Sequence, residues 1–247
     1  MGERVFSDIG TSKMTIILNP SSLRISALTN ENIQDMLKRG VLTDKCPIAP
    51  ERLRIVAVPH INFDGKIVAG EIMVLDAVAK YVQKIFETLF AMKFPIAKVN
   101  LMTVYNGSDT ASMEDNNTSA FNDRDIAGKK QKSIHSYGLA IDINPIQNPF
   151  VEFDYDTGTA KYSPVQGAKF ANRRDDRPGK AKRSGLAEEV VPIFKANGFD
   201  VWGGNWDTPI DYQHFQVSRD MAETLASMKP AEAIHHFDEH VQNLKVS

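Results

Sequence analysis

The chain has 247 residues, 42% of them hydrophobic and 24% charged, with a net charge of -2. That length buries a core without a disulfide or metal to help it fold, and the balanced charge gives no electrostatic case for capturing nucleic acid. Cys46 is the only cysteine, so an internal disulfide and a thiolate zinc cluster are both excluded. Any metal site must use histidine and carboxylate.

The opening stretch, MGERVFSDIGTSKM, has no long apolar core after a basic end and does not read as a secretory signal. No apolar run approaches the roughly 20 residues that span a bilayer. The first 50 residues read as an arm: a short apolar run, MTIILNP, then a helix around NENIQDMLKRG with Asn30 as cap and Gly40 as stop. RLRIVAVPHINF alternates as a strand before a turn at DGK. From Gly70 to about Met92 the apolar residues recur at three-and-four spacing, which predicts one long amphipathic helix. PIAKVNLMTVY reads as a second strand, and residues 106–132 as a long polar loop of the kind that often carries function.

A second irregular stretch covers about 150–184 and contains NRRDDRPGKAKRSG. Its basic cluster, Arg173 to Arg183, is interrupted by Asp175 and Asp176 and reads as a solvated loop or as a contact for anionic wall polymers. Residues 186–197 predict a helix closed by Gly198, with Pro192 as a complication, and the end splits into two helices near Pro230. Few strands, intervening helices and long loops predict an α+β fold rather than regular βαβ alternation.

Two stretches carry chemistry. KSIHSYGLAIDINPIQNPF, residues 132–150, sets His135 and Asp142 in a greasy segment. VWGGNWDTPIDYQHFQVS, residues 201–218, sets Asp211 three residues before His214, beside aromatic residues. Catalytic zinc commonly takes three protein ligands and leaves a position for water. His135, Asp142 and His214 can supply that set, leaving Asp211 for general-base work, although spacing alone does not make the four converge. His236 and His240 lie four apart on the terminal helix with no evident third ligand, and His60 reads as structural.

SIHSYGLAID resembles the Ser-x-His-x-x-Gly-x-Ala-x-Asp motif of the bacterial zinc D-alanyl-D-alanine carboxypeptidase family, with matches at Ser133, His135, Gly138, Ala140 and Asp142. That family also holds L-alanyl-D-glutamate endopeptidases and D-Ala-D-Ala dipeptidases. INPIQNPF, WGGNW and DYQHF resemble further stretches of one of its branches. The resemblance implies a zinc DD-peptidase (hedgehog-like) fold, with a small antiparallel sheet flanked by helices and long active-site loops. It implies zinc on His135, Asp142 and His214, with Asp211 as the catalytic acid or base. It further implies peptidoglycan stem peptides as substrates, and so action at the bacterial cell wall.

Arg124 falls where family members hold an arginine ahead of the histidine motif. It reads either as a clamp on a substrate carboxylate or oxyanion, or as a solvated loop charge. Ser133 either hydrogen-bonds substrate or holds its loop, while Trp202 and Trp206 read as pocket wall and core. The expected organisation is an arm over 1–50, a catalytic domain over 51–218 and a helical tail over 219–247. The leading reading is a D-alanyl-D-alanine-type carboxypeptidase; an L-alanyl-D-glutamate-type endopeptidase and a non-catalytic wall-binding protein are the alternatives.

Overall fold

A computed structural model describes residues 24–174 and 177–245. The run MTIILNP, and Asp175 and Asp176 of the basic cluster, lie outside the described residues. Strand β1 (Ile25–Ala27) leads into helix α1 (Asn30–Lys38), whose cap is Thr29 rather than the expected Asn30. The Thr29 side chain accepts from the Asn32 amide while Asn32 returns a bond to the Thr29 backbone, a reciprocal capping box.

The expected strand at RLRIVAVPHINF is two: β2 (Leu53–Ala57) and β3 (His60–Ile61), parted at Pro59, which has no N–H to donate to a ladder. A turn joins β3 to β4 (Ile67–Val68), and β5 (Glu71–Leu75) follows. The predicted long helix is therefore corrected at its start. Ile72 to Leu75 are four consecutive buried residues paired with β2, and helix α2 begins only at Ala79 and runs to Ala91. A continuous apolar run fits a strand buried on both faces as well as a helix, and the three-and-four pattern of α2 extended the expectation backwards.

The expected second strand shrinks to β6 (Lys98–Val99), which pairs in parallel with β7 (Asn117–Thr118). Between them the polar stretch holds a short helix, α3 (Asp109–Glu114), capped by Ser108. Strand β8 (Ala140–Asp142) is central to the site. Part of the expected irregular stretch is a hairpin, β9 (Phe150–Asp154) and β10 (Thr159–Ser163). Helix α4 (Val191–Ala196) takes Pro192 in its first turn, where a missing N–H costs nothing.

Three short strands follow: β11 (Val201–Trp202), β12 (Ile210–Asp211) and β13 (His214–Gln216). Helices α5 (Arg219–Ser227) and α6 (Pro230–Leu244) close the chain and part where expected. The architecture is α+β: small, mostly antiparallel sheets ordered β1-β2-β5, β10-β9-β12 and β11-β13-β8, with helices packed on them.

One apolar core spans both expected boundaries. Met36, Val41 and Leu42 share it with Val82, Phe86, Ile141 and Phe215, and with Ala233, Phe237 and Val241 of α6. The terminal helix is thus packed by one face rather than exposed. Gly198 lets it close: at φ +90, a Cβ there would sit 2.3 Å from the Phe237 ring. A buried pair locks the far side, where Arg52 grips Asp76 through two bonds of 2.7 and 2.8 Å and donates to the Met228 carbonyl at 2.9 Å.

Candidate metal centre

His135 sits on a single 3-10 turn, Ile134–Tyr137, just before β8. Ser133 caps the turn through its Oγ, which accepts from the His135 amide at 3.3 Å. Gly138 ends the turn at φ +67, and a Cβ there would meet the Leu75 backbone nitrogen at 2.7 Å. Both the conformation and the close approach require glycine. Asp142 and His214 are then placed by register, because they face each other directly across the antiparallel β8–β13 pair. The Asp142 backbone is held from its other edge too, exchanging bonds of 2.9 and 3.0 Å with Ser119.

The three side chains converge. His135 Nε2 lies 3.2 Å from Asp142 Oδ2 and 3.3 Å from His214 Nδ1, and His214 Nδ1 lies 2.9 Å from Asp142 Oδ1. Their outer nitrogens each meet an oxygen acceptor. His135 Nδ1 donates to the Ala120 carbonyl at 2.6 Å, and His214 Nε2 to Gln216 Oε1 at 2.7 Å. A neutral ring with its proton on the outer nitrogen has only a lone pair on the inner one. In their neutral forms the two rings would turn lone pairs toward the Asp142 carboxylate, a donor set that could hold a cation.

The spacing fits a metal ion as well. A tetrahedral ion with bonds of about 2.0–2.1 Å keeps its ligand atoms about 3.3 Å apart. Among the described residues this is the group of three acidic, histidine or cysteine side chains that can hold a metal ion. Cys46 is no competitor, since burial pushes its thiol up to about 11.

Electrostatics follow from the crowding. Burial alone would raise Asp142, but the charges and hydrogen bonds of His135 and His214 hold it far below the usual carboxylate range. Burial would lower His214, yet Asp142 and then Asp211 push it up to about 9. Asp211 responds in the opposite sense to Asp142. Burial and then the Asp142 charge push it up to about 6, against the pull of His214, the Gln213 side chain and His135.

Asp211 belongs to a different sheet from Asp142 and His214. It ends β12, opposite Phe150 of β9, and a two-residue turn of Tyr212 and Gln213 leads into β13. Gly203 makes room for it, since a Cβ there would lie 2.6 Å from the Asp211 carbonyl and 2.9 Å from its Cβ. All four residues line one open cleft of about 590 Å³.

Trp206 walls that cleft, its ring 5.4 Å from the His214 ring, whereas Trp202 packs inward against Phe215 and donates to the Tyr212 carbonyl at 2.9 Å. The aromatic residues thus divide into one wall and one core residue.

Arg124 and Ser133 also line the cleft. Arg124 is ion-paired with Asp109, its side chain is 35% exposed, and the Ser136 hydroxyl donates to its carbonyl at 2.8 Å. The basic cluster is tied down as well. Arg173 is paired with Glu188, donates to Asn148 Oδ1 at 2.8 Å and covers the Tyr212 ring at 4.4 Å.

Some important residues were not singled out in the sequence. Gln216 stands two positions after His214 and so on the same strand face, a period-2 signal that was open to reading. Ala120 contributes only a backbone carbonyl and offers no such signal. Asn144 and Asn148 of the Asn-Pro stretch are buried hubs: Asn144 Oδ1 accepts from the Ala97 amide and Asn148 Oδ1 from the Ala187 amide.

Residues 127–217 match a protein-family model described as D-alanyl-D-alanine carboxypeptidase. The match includes Ser133, His135, Asp142, Asp211 and His214, and it begins after Arg124. No curated protein and no solved structure matches the chain.

Proposed function

We propose, from the match of residues 127–217 to a family model described as D-alanyl-D-alanine carboxypeptidase, that this chain is a zinc-dependent peptidase that removes terminal D-alanine from peptidoglycan stem peptides. The observation that carries the reading is the convergence of two imidazole rings and one carboxylate in a cleft, with both outer ring nitrogens already bonded. His135, Asp142 and His214 would hold the zinc. When bound, it supplies a Lewis acid for the peptide carbonyl and lowers the pKa of water to about 7.

Asp211 takes the proton from the attacking water and returns it to the leaving amine. In the metal-free chain burial and the Asp142 charge push this carboxyl up to about 6, which leaves it ionised at neutral pH and able to accept a proton. Arg124, held by Asp109 at the cleft, offers its guanidinium to the free carboxylate of the terminal residue. That preference favours a carboxypeptidase over an endopeptidase. Ser133 keeps its hydroxyl proton for a substrate carbonyl, because its oxygen already accepts from the His135 amide.

Mass spectrometry of muropeptides digested with the zinc-loaded protein tests the reading. Loss of a single D-alanine is expected. Cleavage between L-alanine and D-glutamate would reassign the enzyme as an endopeptidase, and intact muropeptides with zinc bound would favour a wall-binding protein.

A further inference from the structure

Gln213 is a residue that stability does not explain. The residue is 2% exposed, yet its Oε1 is buried with no hydrogen-bond partner, and its Nε2 donates to the Met113 sulfur at 3.4 Å. A thioether is a weak acceptor. An apolar side chain of the same length would fill this space without the cost of burying an unsatisfied amide. The turn does not need the side chain either. The Gln213 carbonyl accepts from the Ile143 amide at 3.0 Å, the Tyr212 carbonyl from Trp202, and the Tyr212 amide donates to Pro149 at 3.4 Å.

The second unsatisfied atom in the cleft is two residues away. Asp211 Oδ1 is also buried and without a partner, and both residues line the same cavity. The two groups are complementary in a way specific to an amide. Toward an ionised carboxylate it presents N–H, and toward a protonated carboxyl it presents C=O. Exchange between the two needs only a half-turn of the terminal torsion and loss of a weak bond to sulfur. The Gln213 side chain already acts on Asp211, opposing the rise that burial imposes on its pKa.

We propose that Gln213 is a positioning residue for Asp211, its carboxamide holding the carboxyl group in both the ionised and the protonated state of the proton transfer. The inference rests on the role given to Asp211 under the proposed function. It names a second member of the acid–base apparatus, one that touches Asp211 rather than substrate.

The test uses the full-length, zinc-loaded chain and a synthetic stem pentapeptide ending in D-Ala-D-Ala. Gln213→Met, which keeps length and removes the amide, should lower kcat about 10-fold or more, the scale of a lost bond to a charged group. KM should stay within about twofold, zinc content should be unchanged, and Tm should be equal or higher. Introduced into Asp211→Asn, the same change should cost nothing further, because the group it positions no longer transfers a proton. Gln213→Asn, which keeps the amide on a shorter stem, should recover part of the rate. An unchanged kcat in Gln213→Met overturns the proposal, as does a lowered Tm with a loss that recurs in Asp211→Asn. A purely KM effect would make Gln213 a substrate contact and overturn it too. A wild-type rate in Asp211→Asn would sink the underlying role of Asp211, a failure distinguishable from that of Gln213 alone.

Discussion

Around His135 and His214 each ring nitrogen that points away from the centre meets a carbonyl oxygen, from Ala120 or from the Gln216 amide. At the turn that follows Asp211, two buried oxygens, one on Asp211 and one on Gln213, meet no donor at all. Buried polar groups without partners are few in native proteins, and each calls for a reason. On the proposed function, the contrast separates two tasks. Ligands that must hold still are fixed by outer bonds, whereas a group that must gain and lose a proton cannot have every site permanently filled.

The largest effect expected from this contrast is at the satisfied end. His135→Ala should abolish both stoichiometric zinc and hydrolysis, while His236→Ala should keep them; elemental analysis and a peptidase assay on both variants decide it. Chelation of the wild type should stop activity and leave the far-UV circular dichroism nearly unchanged, since the core is built without the metal. Next comes Asp211→Asn. Loss of general acid–base catalysis costs about 10²–10⁴-fold in rate, and zinc should remain bound. Asp211→Glu, which keeps a carboxyl, should retain part of the turnover.

Gln216→Leu probes the outer bond of His214. Removal of such a partner costs about 10–100-fold in metal affinity, so competition with a zinc chelator should show a weaker site in a folded protein. An unchanged affinity would mean that strand packing alone sets the His214 ring.

The smallest effect is a proton count. With His214 raised to about 9 in the metal-free chain, the ring is protonated at pH 7 and must lose its proton to bind a metal. Zinc binding should therefore release about one proton at pH 7 and strengthen as pH rises toward that value. Titration calorimetry in buffers of different ionisation enthalpy reads the number directly. Zero protons released would place the neutral ring, and not the metal-free ion pair with Asp142, as the resting state.

The sequence disclosed the two halves of the site unequally. His135, Asp142, Asp211 and His214 were legible because their chemistry is rare in greasy segments and their motifs resemble a family. Gln216 carried a weaker period-2 hint. The Ala120 carbonyl was invisible, since any residue supplies one. Gln213 was equally silent, because only burial and the lack of a partner mark it. For the fold, breaks such as Pro230 and Gly198 read correctly, while Glu71–Leu75 did not. Four consecutive buried residues, Ile72 to Leu75, have no period to read, and their pairing with β2 is a long-range fact.

The register of Asp142 against His214 has a consequence for covalent continuity. About seventy residues separate these two residues along the chain, but it is the β8–β13 ladder that holds them together. A Cβ at Gly179 would meet nothing within 4 Å, and Arg173 and Arg183 are anchored to either side of it in the chain. A protease that nicks this tip should leave two fragments that still co-purify and still share one metal ion. Severed there, the molecule would behave as a noncovalent heterodimer whose halves each bring part of a single coordination sphere.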